Sequence, residues 1–383
     1  MTRRIIPLRG ATDTVIERIR VVRSTGDIPL VGDERWPQAY WKAVSALAAA
    51  AQPPRQAVWA ALTSGSSGHP RVVLRSAASW RASFAAVSAL LDAGEGGGVV
   101  LPAPPASSLT LFSLAHFLDG DGPRPVFPAF DPHATRTATA FHGTPQALDA
   151  LLGTDAETSA APALRTALVG GSGLDERIRH RAEERGIRVI TYYGAAELSF
   201  VALDSRDGLR PFPGTRLELR AGELWVRSPY LALGYVGEGG PLRRDGGWAT
   251  VGDLAEIADG RMRLRGRADG AIVTASATVV PEEVEASLRR LPSVRDAVVF
   301  ALPAAGVGSL VAAMIEPEPG SLSELGRVLS VGELRRAAAE LLAPAHRPRL
   351  WFCGPLPRNS SGKPARAEIA RRAREGEVAR VAG

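Results

Sequence analysis

Leu62-Thr63-Ser64-Gly65-Ser66-Ser67-Gly68-His69-Pro70-Arg71 gathers a threonine, three serines, two glycines and an arginine on one short stretch. Its hydroxyls can donate to phosphate oxygens, its glycines let the backbone approach a bulky anion, and Arg71 supplies charge. The same residues would also serve as a Ser/Gly-rich hairpin turn. A second candidate is Gly170-Gly171-Ser172-Gly173, which fails the dinucleotide fingerprint for want of a third glycine and fails the nucleophile elbow because Leu174 takes the place of the last one. Tyr192-Tyr193-Gly194-Ala195-Ala196-Glu197 brings an aromatic that can stack on a base together with a carboxylate that can hold Mg²⁺ beside phosphates. A tyrosine plug and a surface glutamate would read the same way. Asp253, after Gly252, suits a ribose diol, and Gly266-Arg267-Ala268-Asp269 adds a cation and another carboxylate. Pro357-Arg358-Asn359-Ser360-Ser361-Gly362-Lys363 is not a Walker loop, because Pro357 and Pro364 replace its first glycine and its Ser/Thr. It nonetheless presents a lysine on a polar loop.

Positioning these groups takes strands that end where the groups begin. Apolar Ala57 to Leu62 and β-rich Val72 to Leu74 flank the first stretch as two predicted strands. A strand is expected at Arg18 to Val22, a helix from Pro37 to Ala51 in which Trp36, Tyr40 and Trp41 serve packing, and a helix over Ala77 to Leu91. Val99 to Pro102 reads as a buried strand, Leu109 to Leu118 as a helix and Pro123 to Pro132 as a proline-rich connection. Strand and helix then alternate from Ala138 to Thr191, the rhythm of a parallel sheet with covering helices. From Arg216 short strands between glycine turns predict a small barrel-like β unit. Beyond Gly266 helix and strand patterns resume. The fold class expected is α/β: a large N-terminal domain, residues 1–267, of helix-covered sheets plus the barrel-like unit, and a smaller, mobile C-terminal α+β domain, residues 268–383.

With 383 residues and 45% hydrophobic side chains the chain is long enough for two or more cores. It has no apolar run of membrane-spanning length and no signal-peptide pattern at Met1 to Pro7, so a cytoplasmic location is expected, with no membrane partner. Cys353 is the single cysteine, which excludes an internal disulfide and a multi-cysteine metal site. It is expected to be a buried small apolar residue. A net charge of +6 is spread rather than clustered, and aromatics, at 6%, do not interleave with basic runs; both argue against nucleic acid as a partner. Of 46 basic residues only Lys42 and Lys363 are lysines. In such a background a lysine marks a place that needs a compact ammonium.

Taken in order, Thr63 to Arg71, Tyr193 to Glu197, Gly222-Glu223-Leu224, Gly252-Asp253, Gly266 to Asp269, Pro281 to Glu285 and Asn359 to Lys363 resemble the motifs of the adenylate-forming superfamily of acyl- and aryl-CoA ligases, adenylation domains and luciferases. The short N-terminal part resembles the compact o-succinylbenzoate–CoA ligases, as if the first subdomain were shortened. The resemblance implies ATP-dependent, AMP-forming activation of an aryl or short-chain carboxylic acid and transfer of the acyl group to CoA. It implies that Thr63, Ser64, Gly65, Ser66, Ser67, Gly68 and Arg71 grip the β- and γ-phosphates of ATP, with Gly171 and Ser172 in the nucleotide site. Tyr193 and Gly194 would meet adenine, Glu197 would hold Mg²⁺, and Asp253 and Arg267 the ribose. Lys363 would bridge the carboxylate and the α-phosphate, and Asp269 would be the hinge of a domain rotation.

Arg71 and Ala196 stand where the family usually has lysine and threonine. Thr274-Ala275-Ser276-Ala277 replaces a paired glycine beside the pantetheine tunnel, which opens the alternatives of an amine, a carrier-protein thiol or another small nucleophile as acceptor. A non-catalytic nucleotide-binding relative is a further alternative. Leu101 to Ser108 has prolines where relatives often have a histidine pair, so no acid is carried over from menaquinone synthesis, and His69, His116 and His142 are assigned no role. A homo-oligomer is compatible with all of these readings.

Overall fold

Ala140–Gly143 and Thr166–Gly170 are buried at every position, as strands of a parallel sheet covered on both faces must be. The computed structural model describes residues 3–10, 12–36, 38–63, 71–94, 96–153, 159–171, 173–204, 206–237, 239–267, 270, 272–273, 278–291, 294–304, 308–318, 331–342, 346–359 and 362–381. The central sheet has seven strands in the order Arg210–Pro211, Ser199–Asp204, Arg188–Ala195, Thr166–Gly170, Ala140–Gly143, Gly98–Val100 and Arg124–Val126. The five from Arg188–Ala195 onward are parallel. A five-stranded sheet, Ile5–Leu8, Ile28–Val31, Ala57–Thr63, Arg71–Ser76 and Gly234–Tyr235, lies across helices Ala77–Leu91 and Ser108–Asp119 from it. One core joins the layers: Trp59 and Val31 from the second sheet, Trp80, Phe84 and Phe112 from the helices, and Leu168, Ile190 and Phe200 from the first.

A six-stranded antiparallel unit built on Glu223–Arg227 and Asp253–Ala258 follows, and its Leu224, Val226 and Met262 pack in one core with Val201 and Ala202 of the central sheet and Leu198 of the turn before them. The chain then forms a three-stranded sheet, Val294–Ala304, Gly308–Pro317 and Leu350–Cys353. Period-two alternation sorts that sheet's side chains: Ala297, Val299, Ala313 and Trp351 pack on one face, Val298, Phe300, Met314 and Phe352 on the other. Helices Pro281–Leu288 and Val331–Leu341 cover the first face and Arg366–Arg374 the second. These last two cores contain no described residue before Ile272.

Three expectations change. Arg18 to Val22 is not a strand but part of the helix Val15–Ser24, because Val15, Ile19 and Val22 fall on one helical face and are buried together. Pro123 to Pro132 is not an open connection. It contains the strand Arg124–Val126, where Pro125 is tolerated at the sheet's edge. Cys353 is half-buried at the end of a strand rather than enclosed.

Candidate active site

Arg188–Ala195 turns back on Ser199–Asp204 as a hairpin, so the sheet's last parallel strand carries Tyr192 and Tyr193 to its C-terminal end. Open α/β sheets bind ligands there. A side chain at Gly194 would collide with the Ser199 carbonyl, so the close turn requires glycine. Tyr193 donates its hydroxyl proton to Asp253, which opens the strand Asp253–Ala258 and faces Arg267 across the ladder. The three expected nucleoside contacts are thus neighbours along one edge.

Glu197 is 6% exposed. Its Oε1 accepts from Tyr235 Oη at 2.8 Å and its carbonyl accepts from the Ala232 N–H at 2.8 Å. Burial, and then the Glu197 charge, push the Tyr235 phenol up, so it remains a donor. Behind this turn Arg75 is 1% exposed; its Nε donates to the Ala196 carbonyl at 3.0 Å and its Nη1 to the Tyr230 carbonyl at 2.7 Å. Burial pushes Arg75 down to about 9, opposed by the Glu197 carboxylate, so it is cationic at neutral pH. Arg75 and Tyr235 were not singled out by the sequence. The signal was there for Arg75: an arginine that continues the apolar run Val72 to Leu74 within the strand Arg71–Ser76.

Thr63 ends one strand and Arg71 begins the next, paired in register across the hairpin, as the flanking apolar runs predict. Ser64, Gly65, Ser66, Ser67 and Gly68 lie outside the described residues, as do Ser172, Asp269, Thr274 to Ala277, Ser360 and Ser361. Arg71 lines a cleft of about 1000 Å³ together with Tyr193, Glu197, Asp253, Gly171 and Lys363. Gly171 has a φ of +97°, and a Cβ there would meet Lys363 Cε at 3.5 Å, so the lysine passes directly over this turn.

The loop that carries Lys363 is closed on itself. Lys363 N–H donates to Asn359 Oδ1 at 3.0 Å and Asn359 N–H to the Lys363 carbonyl at 2.8 Å. Its base is fixed by Arg358, which donates to Asp296 at 2.9 Å and to Glu316 at 2.6 Å. The ion pairs Arg177–Glu318 at 3.2 Å and Arg265–Glu283 at 2.6 Å link this part of the chain to the larger body; the arginines are exposed and the glutamates partly buried.

An apolar end of the cleft is walled by Trp80, Phe112, Tyr192 and Phe200, which pack on one another. Trp36 and Tyr40 pack on one another at 5.1 Å between ring centroids, as expected, and also line the cleft, which was not expected. His116 and His142 are buried, and burial pushes them down to about 4 and about 3, so both are uncharged.

Residues 9–236 match the family model described as AMP-binding enzyme, and residues 283–363 match AMP-binding enzyme C-terminal domain. The chain is 30% identical over 384 residues to the probable 2-succinylbenzoate–CoA ligase of Mycobacterium tuberculosis, covering 96% of this chain and 97% of that protein. It is 27% identical over 347 residues to an uncharacterized acyl–CoA ligase of Bacillus subtilis, covering 82% of this chain and 68% of the other. Among solved structures, a variant of E. coli MenE with bound OSB-AMS shares the fold at a TM-score of 0.79 with 21% identity, over 97% of this chain and 88% of that one. An amide bond synthetase from Marinactinospora thermotolerans does so at 0.78 with 20% identity, over 97% and 89%.

The lysine over the glycine turn thus shares one cleft with a buried carboxylate and with a tyrosine–aspartate pair at the sheet's C-terminal edge. The chain belongs to the AMP-binding enzyme family, and within it resembles the 2-succinylbenzoate–CoA ligases.

Proposed function

We propose that this enzyme forms an acyl-adenylate from ATP and an aryl or short-chain carboxylic acid and passes the acyl group to CoA. The observation that carries the reading is the position of Lys363 over Gly171, in one cleft with Glu197, Tyr193 and Asp253. An ammonium there shares the cleft with an apolar end suited to the acid's side chain and an edge suited to the nucleoside. A carboxylate oxygen attacks the α-phosphorus, the bond to the β-phosphate oxygen breaks, and pyrophosphate leaves with that electron pair. Lys363 neutralises charge on the two reacting anions. Thr63, Arg71 and the serine–glycine stretch hold the leaving phosphates, Tyr193 stacks on adenine, and Asp253 and Arg267 bind the ribose.

Among the described residues no group of three or more His, Cys, Asp or Glu side chains is placed to hold a metal. Mg²⁺ typically keeps several waters and takes one or two carboxylates plus substrate phosphates, a role that the single carboxylate of Glu197 fits. It would supply charge neutralisation on the phosphates. We assign residues 1–267 to the nucleotide- and acid-binding domain and 268–383 to a domain that turns about Asp269 between the two half-reactions. The separate cores beyond Ile272 support that division. Among the described residues no helix is long and apolar enough to cross a membrane. A cytoplasmic location would give the enzyme ATP and CoA together.

The test is pyrophosphate release with Mg-ATP across a panel of aryl and short-chain acids, with and without CoA, beside Lys363→Ala. Acid-dependent release that rises with CoA and collapses in the variant supports the reading; none with any acid overturns it. Ala275 and Ser276 favour a second reading in which an amine, a carrier-protein thiol or another small nucleophile is the acceptor, and product formation with one of these exceeding CoA thioester formation would establish it.

A further inference from the structure

At the apolar end of the cleft lies a buried polar chain that the roles above leave unused. Ser113 Oγ is 2.8 Å from His142 Nδ1, and His142 Nε2 is 3.0 Å from Tyr192 Oη. Ser113 is 4% exposed and His142 fully enclosed; Tyr192, partly buried as a residue, lines the cleft, and burial pushes its phenol up, so it keeps its proton. Phe200 packs against the Tyr192 ring at 4.7 Å and Phe112 against His142 at 6.3 Å, so the chain is sheathed in aromatic surface. Gly170 makes room for Tyr192, since a Cβ there would occupy the space of its phenol.

Proton counting orients the chain. An uncharged imidazole has one N–H, so Ser113, His142 and Tyr192 bring three donor protons to two contacts, and one is left over. Among the described residues Ser113 Oγ and Tyr192 Oη have no second partner. If Tyr192 donated to His142 and His142 to Ser113, the spare proton would be that of Ser113, enclosed without an acceptor. That arrangement costs the full desolvation of a hydroxyl. If instead Ser113 donates to Nδ1 and Nε2–H donates to Tyr192, the serine and the imidazole are both satisfied and the spare proton is the phenol's, on the one of the three side chains that is not fully buried and lines the cleft. The low basicity of the enclosed His142 keeps the ring in the uncharged form that this count requires.

We propose that Tyr192 presents an O–H donor to the apolar end of the cleft and so selects acids whose far end carries an uncharged oxygen acceptor, such as a ketone or ether. Acids that are hydrocarbon at that end leave the donor unmet. Acids with a second carboxylate there bury a charge against a neutral chain, since Arg75 is committed to the Ala196 and Tyr230 carbonyls and Arg179 to ion pairs with Glu176 and Glu183. The selection rests on the acid-ligase reading above. A hydrogen-bonding site discriminates against an analogue that lacks the partner because its own group is then left unpaired.

Two measurements test it. Long-range proton–nitrogen correlation spectra of the imidazole rings, with His142→Gln for assignment, should show His142 as the Nε2–H tautomer; an Nδ1–H tautomer or a charged ring reverses the chain and overturns the proposal. Pyrophosphate release should then be compared among shape-matched acids: 3-acetylbenzoate, 3-isopropylbenzoate and benzene-1,3-dicarboxylate, and the 4-substituted series. The acetyl member of at least one series should exceed its partners in kcat/KM by on the order of 10- to 100-fold. Tyr192→Phe, which keeps the ring, should bring that ratio to about 1. Equal use of acetyl and isopropyl acids, or a ratio that survives in Tyr192→Phe, overturns the selection alone. Absence of release with every acid overturns the ligase reading and the selection with it.

Discussion

The Tyr193–Glu197 turn and the Asn359–Lys363 loop meet in one cleft but are held in different ways. Around the first, partners come from distant parts of the large body: Arg75 and Tyr235 from the second sheet and Asp253 from the antiparallel unit. The second is anchored within its own unit, by Asn359 across the loop and by Arg358 on Asp296 and Glu316. Among the links between the two bodies are the ion pairs Arg177–Glu318 and Arg265–Glu283, of a kind worth about 0–1 kcal/mol each. On the function proposed above, the first region acts as a template and the Lys363 loop as a removable reagent.

The sharpest way to break that contrast is to remove the reagent. Lys363→Ala should lower the adenylation rate by on the order of 10²–10³. Because this side chain is exposed, the unfolding midpoint in urea should stay at the wild-type value. Arg75→Met should do the reverse and strike the template. It leaves two enclosed carbonyls and the Glu197 charge without their cation, so urea unfolding should show a loss of about 3 kcal/mol, with a raised KM for Mg-ATP. Arg358→Gln loosens only the footing of the loop, and steady-state rates should show kcat falling about 10-fold while KM for ATP changes little. Tyr193→Phe keeps the ring but drops the donor to Asp253, for which a rise of about 3- to 10-fold in KM for ATP is expected.

The last prediction concerns pH. His116 and His142 are held below their ordinary value of 6.5 by burial, so between that value and about 4 and about 3 the unfolded chain binds protons that the folded chain refuses. Stability therefore rises with pH across this window and is lost as the pH falls, by up to ~1.4 kcal/mol per pH unit for each ring. His142→Gln should flatten the slope of unfolding free energy against pH. An unchanged slope would show that the ring is not enclosed and neutral.

The same contrast explains what the sequence could convey. Strands around Thr63 and Arg71 were legible because apolar runs stop abruptly at a polar loop. Lys363 stood out because lysine is almost absent. Asp253 and Arg267 were read separately, yet their pairing opposite one another is a matter of register, which a linear reading does not contain. Arg75 was hidden among many arginines, its role set by two carbonyls far along the chain. Arg18 to Val22 was misread because Val21 and Val22 favour a strand locally, while the burial of Val15 and Ile19 on the same face decides for a helix.

Gly170 has a consequence for how this pocket can change over generations. Because the Tyr192 phenol fills the space where any side chain at 170 would sit, the two positions are not free to vary in either order. A step that shrinks Tyr192 first leaves a vacant volume and an unpaired His142 Nε2 but no collision, and lets position 170 enlarge later. The opposite first step displaces the ring from a packed wall. Passage between this pocket and one with a bulky residue at 170 is therefore a one-way gate entered through position 192, and recombined genes that inherit the two positions from different parents should be recovered in one combination far more often than in the other.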